Sequence, residues 1–150
     1  MTYDTANNRW KGSETYNLLY PQWGHPGNLS DAVRRWVAPQ AATIRITGNA
    51  RDSGIGCGDG VVVSIKKGVT PLWQQTIAEG NSTGFNFDQT TTVAGGDVID
   101  FIINKGVADN GCDATSFDPT ISLSAAPPPL SSYTASTDFS GTQGYRNWYY

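Results

Sequence analysis

The stretch "VVVSIKKGVTPLWQQTIA" (residues 61–78) places Val61, Val63 and Ile65 at alternate positions, then a turn-prone "KGVTP", then Trp73 and Ile77 two alternations apart. A period of two turns one face of each run toward a core and the other toward water, so the two runs read as strands of a hairpin. Working outward, "ATIRIT" (42–47) sets Ile44 and Ile46 against Thr43, Arg45 and Thr47. "GFNFDQ" offers Phe85 and Phe87, and "DVIDFIIN" (97–104) offers Ile99, Phe101 and Ile103 behind the turn "AGGD". "TISL" (120–123) adds Ile121 and Leu123, while "YNLLY" and "VRRWV" are less regular strands. In "VRRWV" the parity leaves open which way Trp36 faces. Short strands separated by Gly, Asn and Pro predict an all-β chain, an antiparallel β-sandwich or jelly roll.

Composition agrees. A chain of 150 residues is the size of one domain with a sizeable core. No segment has the Ala/Leu/Glu/Lys usage of a long helix. A formal charge of −3 and a pI near 4.9 supply no basic footprint for nucleic acid or for an anionic membrane surface. No run reaches the roughly 20 apolar residues of a membrane span, and "MTYDTANNRW" is not a secretory signal. The expected partners therefore include neither nucleic acid nor inserted membrane.

Cys57 and Cys112 sit in the Gly-rich loops "GIGCGDG" and "DNGCDAT", without a nearby His or second Cys at zinc-ligand spacing. A disulfide is the preferred reading over two unpaired thiols, and it would place the protein outside a reducing cytosol. If the two cysteines are bonded, Asp59, Asp113 and Asp118 gather at one edge as hard oxygen ligands for Ca²⁺. The alternative is that these aspartates cap turns by accepting backbone N–H groups.

After Leu123 the texture changes. A body at 1–125 is followed by a Pro/Ser linker at 126–132, "APPPLSS" with three consecutive prolines, and a further strand segment at 133–150. That segment ends in "TQGYRNWYY" and is too short to fold alone, so Phe139, Trp148, Tyr149 and Tyr150 are expected to anchor it in a groove of its own or a neighbouring body.

The runs "NNRWKGSETYNLL", "WGHPG", "DAVRRWVAP", "GDGVVVSIKKG", "LWQQTIAEGNSTG" and "CDATSFDPTI", in this order, resemble a family of bacterial extracellular β-sandwich modules similar to carbohydrate-binding modules. Such modules accompany glycan-degrading enzymes or recur in tandem in large surface proteins. In them a segment like "DFSGTQGYRNWYY" precedes one like "MTYDTANNRW"; here the order is reversed, and the short Gly/Tyr/Ser-containing connection between the two is absent. The resemblance implies one period of a tandem repeat cut out of phase. The tail can then fold back on its own body, complete the next copy, or belong to one long continuous chain. The favoured expectation is a head-to-tail filament or array.

No catalytic constellation is legible. His25, the only histidine, lies in the turn-like "WGHPGN" with no nucleophile placed to use it, and Glu14 and Glu79 are the only glutamates. The chain is read as a non-enzyme. Sugar binding would use exposed rings with polar neighbours. Trp23 in "YPQWGHPG" is the leading candidate, with Tyr20, Trp10 and Arg9 beside it, whereas Trp73 shares parity with Ile77 and is assigned to the core. Sequons at Asn28 and Asn81 lie in apparent loops and are close to chance in so Asn-rich a chain. The sequence thus leads to a structural repeat unit of an extracellular or cell-surface protein, with a polysaccharide-binding module as the alternative. Ca²⁺ is the only cofactor it suggests.

Overall fold

The computed structural model describes residues 1–54, 56–124 and 132–150. Its strands are β1 (Thr2–Asp4), β2 (Arg9–Lys11), β3 (Leu18–Leu19), β4 (Trp23–His25), β5 (Ala32–Val37), β6 (Ala42–Asp52) and β7 (Val61–Lys67). They continue with β8 (Thr70–Ile77), β9 (Phe85–Val93), β10 (Val98–Asn104), β11 (Thr115–Phe117), β12 (Thr120–Ser124), β13 (Ser132–Thr134) and β14 (Trp148–Tyr149). All pairings are antiparallel and form two sheets packed as a sandwich, with no α-helix among the described residues. The first sheet runs β1-β2-β3-β4-β11-β6-β12-β13, with β9 on the other edge of β6; the second runs β14-β5-β10-β7-β8. No described helix is long and apolar enough to cross a membrane.

The hairpin of residues 61–78 forms with a tighter turn than its sequence implies. β7 and β8 pair from Val61↔Ile77 to Lys67↔Thr70, leaving only Gly68 and Val69 between them. Gly68 takes φ +55°, the left-handed conformation a two-residue turn demands. The register slips between Ile65 and Lys66, where Pro71 enters opposite Lys66. A proline has no N–H to give the ladder, so a bulge is where it is tolerated.

The core forms where the alternation places it: Ile44, Ile46, Val63, Ile65, Ile77, Ile99, Phe101, Ile103, Ile121 and Leu123 are all buried. Phe117 meets Phe87 and Phe101 edge-on, at centroid distances of 5.6 and 5.9 Å. Trp73 packs against Phe87 at 5.1 Å as a partly buried member of this cluster. One expectation needs correction and one open question is answered. Phe85, the first residue of β9, stands at the rim and is 39% exposed, so only Phe87 of that pair enters the core. In β5 the inward face holds Arg34 as well as Trp36, a charge at a core position.

Residues 132–150 close on their own chain. β13 pairs with β12, and Trp148 and Tyr149 of β14 lie opposite Trp36 and Arg35 of β5. Trp148 is fully buried, 5.7 Å from Phe101, and Tyr150 stacks on Trp10 at 5.6 Å. Phe139 is partly buried against Tyr3 and Tyr150. Tyr149 is 41% exposed and anchors nothing, because the period of two turns it outward between its neighbours. The expected Pro-rich linker at 126–132 lies outside the described residues, except Ser132, which opens β13.

Because Trp148 fills a fully enclosed position, Trp148→Ala leaves a large cavity and is expected to lower stability by about 3–5 kcal/mol. Chemical unfolding followed by circular dichroism measures this; a loss under about 1 kcal/mol would mean the ring is not a core element.

Candidate functional site

The turn after β3 carries Tyr20, β4 carries Trp23, and β2 carries Trp10 and Arg9. Gly24 faces inward, and a Cβ there would lie 2.9 Å from Leu19 Cδ2 and 3.0 Å from Ile103 Cδ1, so close packing requires glycine. Its neighbours Trp23 and His25 therefore lie on the opposite face of the strand, where Tyr16 packs beside His25. Tyr20 stands beside Trp23 across the hairpin with ring centroids 4.0 Å apart and an interplanar angle of 11°, and Arg9 Nη1 donates to the Tyr20 hydroxyl at 2.7 Å. Arg9 also pairs with Asp4 at 3.0 Å. Three of the four sugar-binding candidates, Trp23, Tyr20 and Arg9, are thus brought together. Trp10 is not among them: it is buried, its Nε1 donates to Ser140 O at 2.8 Å, and its ring holds Tyr150. Opposite Leu19 in the ladder, its parity points it into the core.

Trp23 lines a groove of about 490 Å³ with Tyr16, Leu18, His25 and Asn110. Tyr16 is 58% exposed and its ring lies 5.6 Å from that of His25. A second groove of about 420 Å³, lined by Ser13, Glu14, Thr15 and Asn28, shares Tyr16 and Asn110 with the first. Apolar ring faces thereby adjoin a polar rim. The Glu14 carboxylate accepts from the Ser30 hydroxyl at 2.5 Å and from Leu29 N at 3.0 Å, bonds that hold its carboxyl below the usual range, the Ser30 bond foremost. Asn28 Oδ1 accepts from Asn110 N, tying the two rims together. His25 ends β4 rather than lying in a turn, is buried, and has Nδ1 2.8 Å from Pro26 O. Tyr16, His25 and Asn110 were not singled out as site residues by sequence; the available signal is the period of two, which puts His25 on the same strand face as Trp23.

The turn that presents Tyr20 and Trp23 is held from below by Arg34. This side chain rises from the second sheet and donates Nη1 to Pro21 O at 2.8 Å, and Nη2 to Tyr20 O and to Trp23 O, the latter at 3.2 Å. It is 2% exposed, and burial pulls its pKa down to about 10, so it remains charged at neutral pH. No carboxylate pairs with it among the described residues. The tail covers it: the Phe139 ring lies 6.0 Å from its guanidinium carbon. Burial pushes the Tyr150 hydroxyl up to about 12.

Cys57 and Cys112 are bonded, with Cα atoms 5.6 Å apart across 55 residues. A loop of that length confers about 4 kcal/mol in the chain-entropy model. The loops approach so closely that a Cβ on Gly54 would fall 1.9 Å from Cys112 O. The three calcium candidates are not gathered. Asp59 accepts from Ala108 N and Asp113 is buried near the disulfide, whereas Asp118 accepts from Ser136 N and lines a different cavity with Arg51 and Asn49. Asp118 follows β11, and three residues of strand carry it away from the disulfide end. Among the described residues no group of three His, Cys, Asp or Glu side chains stands ready to hold a metal.

No family model, curated protein or solved structure matches the chain.

Arg34→Met keeps the volume and removes the donors, leaving carbonyls of the Tyr20–Trp23 turn unpaired at about 1–3 kcal/mol each, partly offset by removing a desolvated charge. A net loss of about 2–4 kcal/mol is expected, together with a weakened near-ultraviolet dichroism from the Tyr20–Trp23 stack. Unchanged stability and an unchanged spectrum would show that the turn holds itself.

Proposed function

We propose that the chain is a non-catalytic extracellular module that binds carbohydrate in the groove beside Trp23. The observation that carries this reading is the pairing of ring faces with a polar rim: Trp23, backed by Tyr20, and the exposed Tyr16 adjoin Asn110, Asn28 and Glu14. Pyranose rings present apolar C–H faces and equatorial hydroxyls, and such a groove offers a counterpart to each. Buried from behind, Trp23 loses little freedom when a ligand covers it, which favours affinity. The disulfide fits an oxidising compartment outside the cytoplasm, and the family resemblance of the sequence points the same way. Glu14 and Glu79 line separate cavities, an arrangement that does not serve a two-carboxylate hydrolase.

Affinity electrophoresis against soluble polysaccharides, or a glycan array, tests the reading. Wild-type chain is expected to be retained by at least one glycan. Trp23→Ala, which removes an outward ring and no core contact, is expected to weaken retention about tenfold or more, the equivalent of 1.4 kcal/mol. Retention equal in the two proteins, or none in the wild type across a broad panel, would defeat it.

The second reading is a structural repeat unit linked head to tail through residues 132–150. It is favoured by the segment's manner of docking: Trp148, Tyr150 and Phe139 enter pockets of the body as a separate piece, and the same contacts would form with a neighbouring copy. Light scattering after size exclusion would give concentration-dependent oligomers that vanish when 132–150 is removed. A monomer at every concentration retires this reading and leaves the first untouched.

A further inference from the structure

Beside the disulfide, a small, partly open cavity of about 10 Å³ has Asp52, Glu79 and Asp113 on its wall, together with Cys57, Gly60 and Cys112. That is room for one water-sized particle. The acids around it differ in one respect. Asp52 accepts from Gly54 N and Gly80 N at 2.7 Å each, Glu79 from Gly56 N at 2.8 Å, Asp109 from Gly111 N at 2.7 Å and Asp59 from Ala108 N at 3.2 Å. Asp113 is 3% exposed, and neither of its carboxylate oxygens has a partner among the described residues.

A carboxylate enclosed without a donor is strongly disfavoured and must acquire either a proton or a cation. Its surroundings press the same way: burial first, then Asp59, Asp109 and Asp52, push the Asp113 carboxyl up to about 7, with Lys105 opposing. Each neighbouring acid keeps lone pairs beyond those its N–H partners occupy. Both sulfurs are consumed in the disulfide and no histidine lines the cavity, which leaves oxygen as the ligand type.

We propose that this cavity binds one divalent cation, with the Asp113 carboxylate as its principal ligand and Asp52 and Glu79 as flanking ones. Hard oxygen donors from irregular loops are the donor set of Ca²⁺, which accepts flexible geometry, whereas Mg²⁺ demands a near-ideal octahedron that these loops do not offer. The three carboxylates are not drawn together beforehand, so the ion completes the site by pulling Asp52 and Glu79 toward Asp113 or by retaining a water. Of the three candidates read from sequence only Asp113 lines this cavity: Asp118 lies elsewhere and Asp59 is off the cavity wall. Bound there, the cation would pin the ends of β6 and β8 to the loop before β11.

The test is thermal unfolding and isothermal titration calorimetry on the full chain, after chelator treatment, with CaCl₂ and MgCl₂ added separately. A saturable Ca²⁺ isotherm at one site is expected, with a dissociation constant of about 10⁻⁴–10⁻³ M, the range of extracellular modules. At 10 mM Ca²⁺ the midpoint should rise by roughly 5 °C, and Mg²⁺ should have a smaller effect. Asp113→Asn should abolish the heat of binding and the rise; if that variant does not fold, Glu79→Gln should weaken binding several-fold. No saturable binding by wild type, or binding unchanged in both variants, overturns the proposal. So does a midpoint that is indifferent to Ca²⁺ but falls as pH rises from about 4 to about 7: that is the sign for a carboxyl whose folded pKa is raised, and it would mean the cavity holds a protonated acid.

Discussion

One buried guanidinium ties the parts of this molecule together. Arg34 belongs to the second sheet, yet it satisfies carbonyls of the turn in the first sheet that carries Tyr20 and Trp23. A desolvated charge with no carboxylate beside it is tolerable only because three oxygens point at it and because the tail seals it from water. Sheet-to-sheet registry, the pose of the candidate binding ring and the docking of residues 132–150 therefore rest on the same atoms. Remove the tail and Arg34 is wetted; remove Arg34 and the turn loses its support.

The architecture was largely legible because it follows from a short-range rule. Alternation at Val61, Val63 and Ile65, at Ile44 and Ile46, and at Ile99, Phe101 and Ile103 reports directly on which face is buried. The rule failed where something other than alternation decides. Arg34 occupies a core position because a distant turn needs donors, which no local pattern announces. Phe85 obeys the period but stands past the end of the core. Tyr149 sits in an aromatic run whose composition says "anchor" while its parity says "outside".

The candidate site was half legible for the same reason. Trp23, Tyr20 and Arg9 lie within fifteen residues, and the successive hairpins of β2, β3 and β4 bring them together. Asn110 reaches the groove from a loop far along the chain, and only the fold joins it to His25 and Tyr16. The cysteine pairing could be read because just two cysteines exist. Which acids crowd beneath the bond depends on where β6 and β8 end, and the positions of Asp52 and Glu79 in sequence do not disclose that.

The manner in which the tail is held also sets its response to conditions. Its ladder with β5 is two residues long, and its one described ion pair, Arg146 with Asp138, lies within the tail itself. Its front is joined to the body by the three-residue ladder of β13 with β12 and by bonds such as Ser136 N to Asp118, whereas its far end is held chiefly ring against ring. Apolar attachment of this kind loosens on cooling and is strengthened, not screened, by excluded salts such as sulfate. The ring-held end of the tail around Trp148 and Tyr150 would thus loosen in the cold, while the β13 ladder and the rest of the sandwich stay closed.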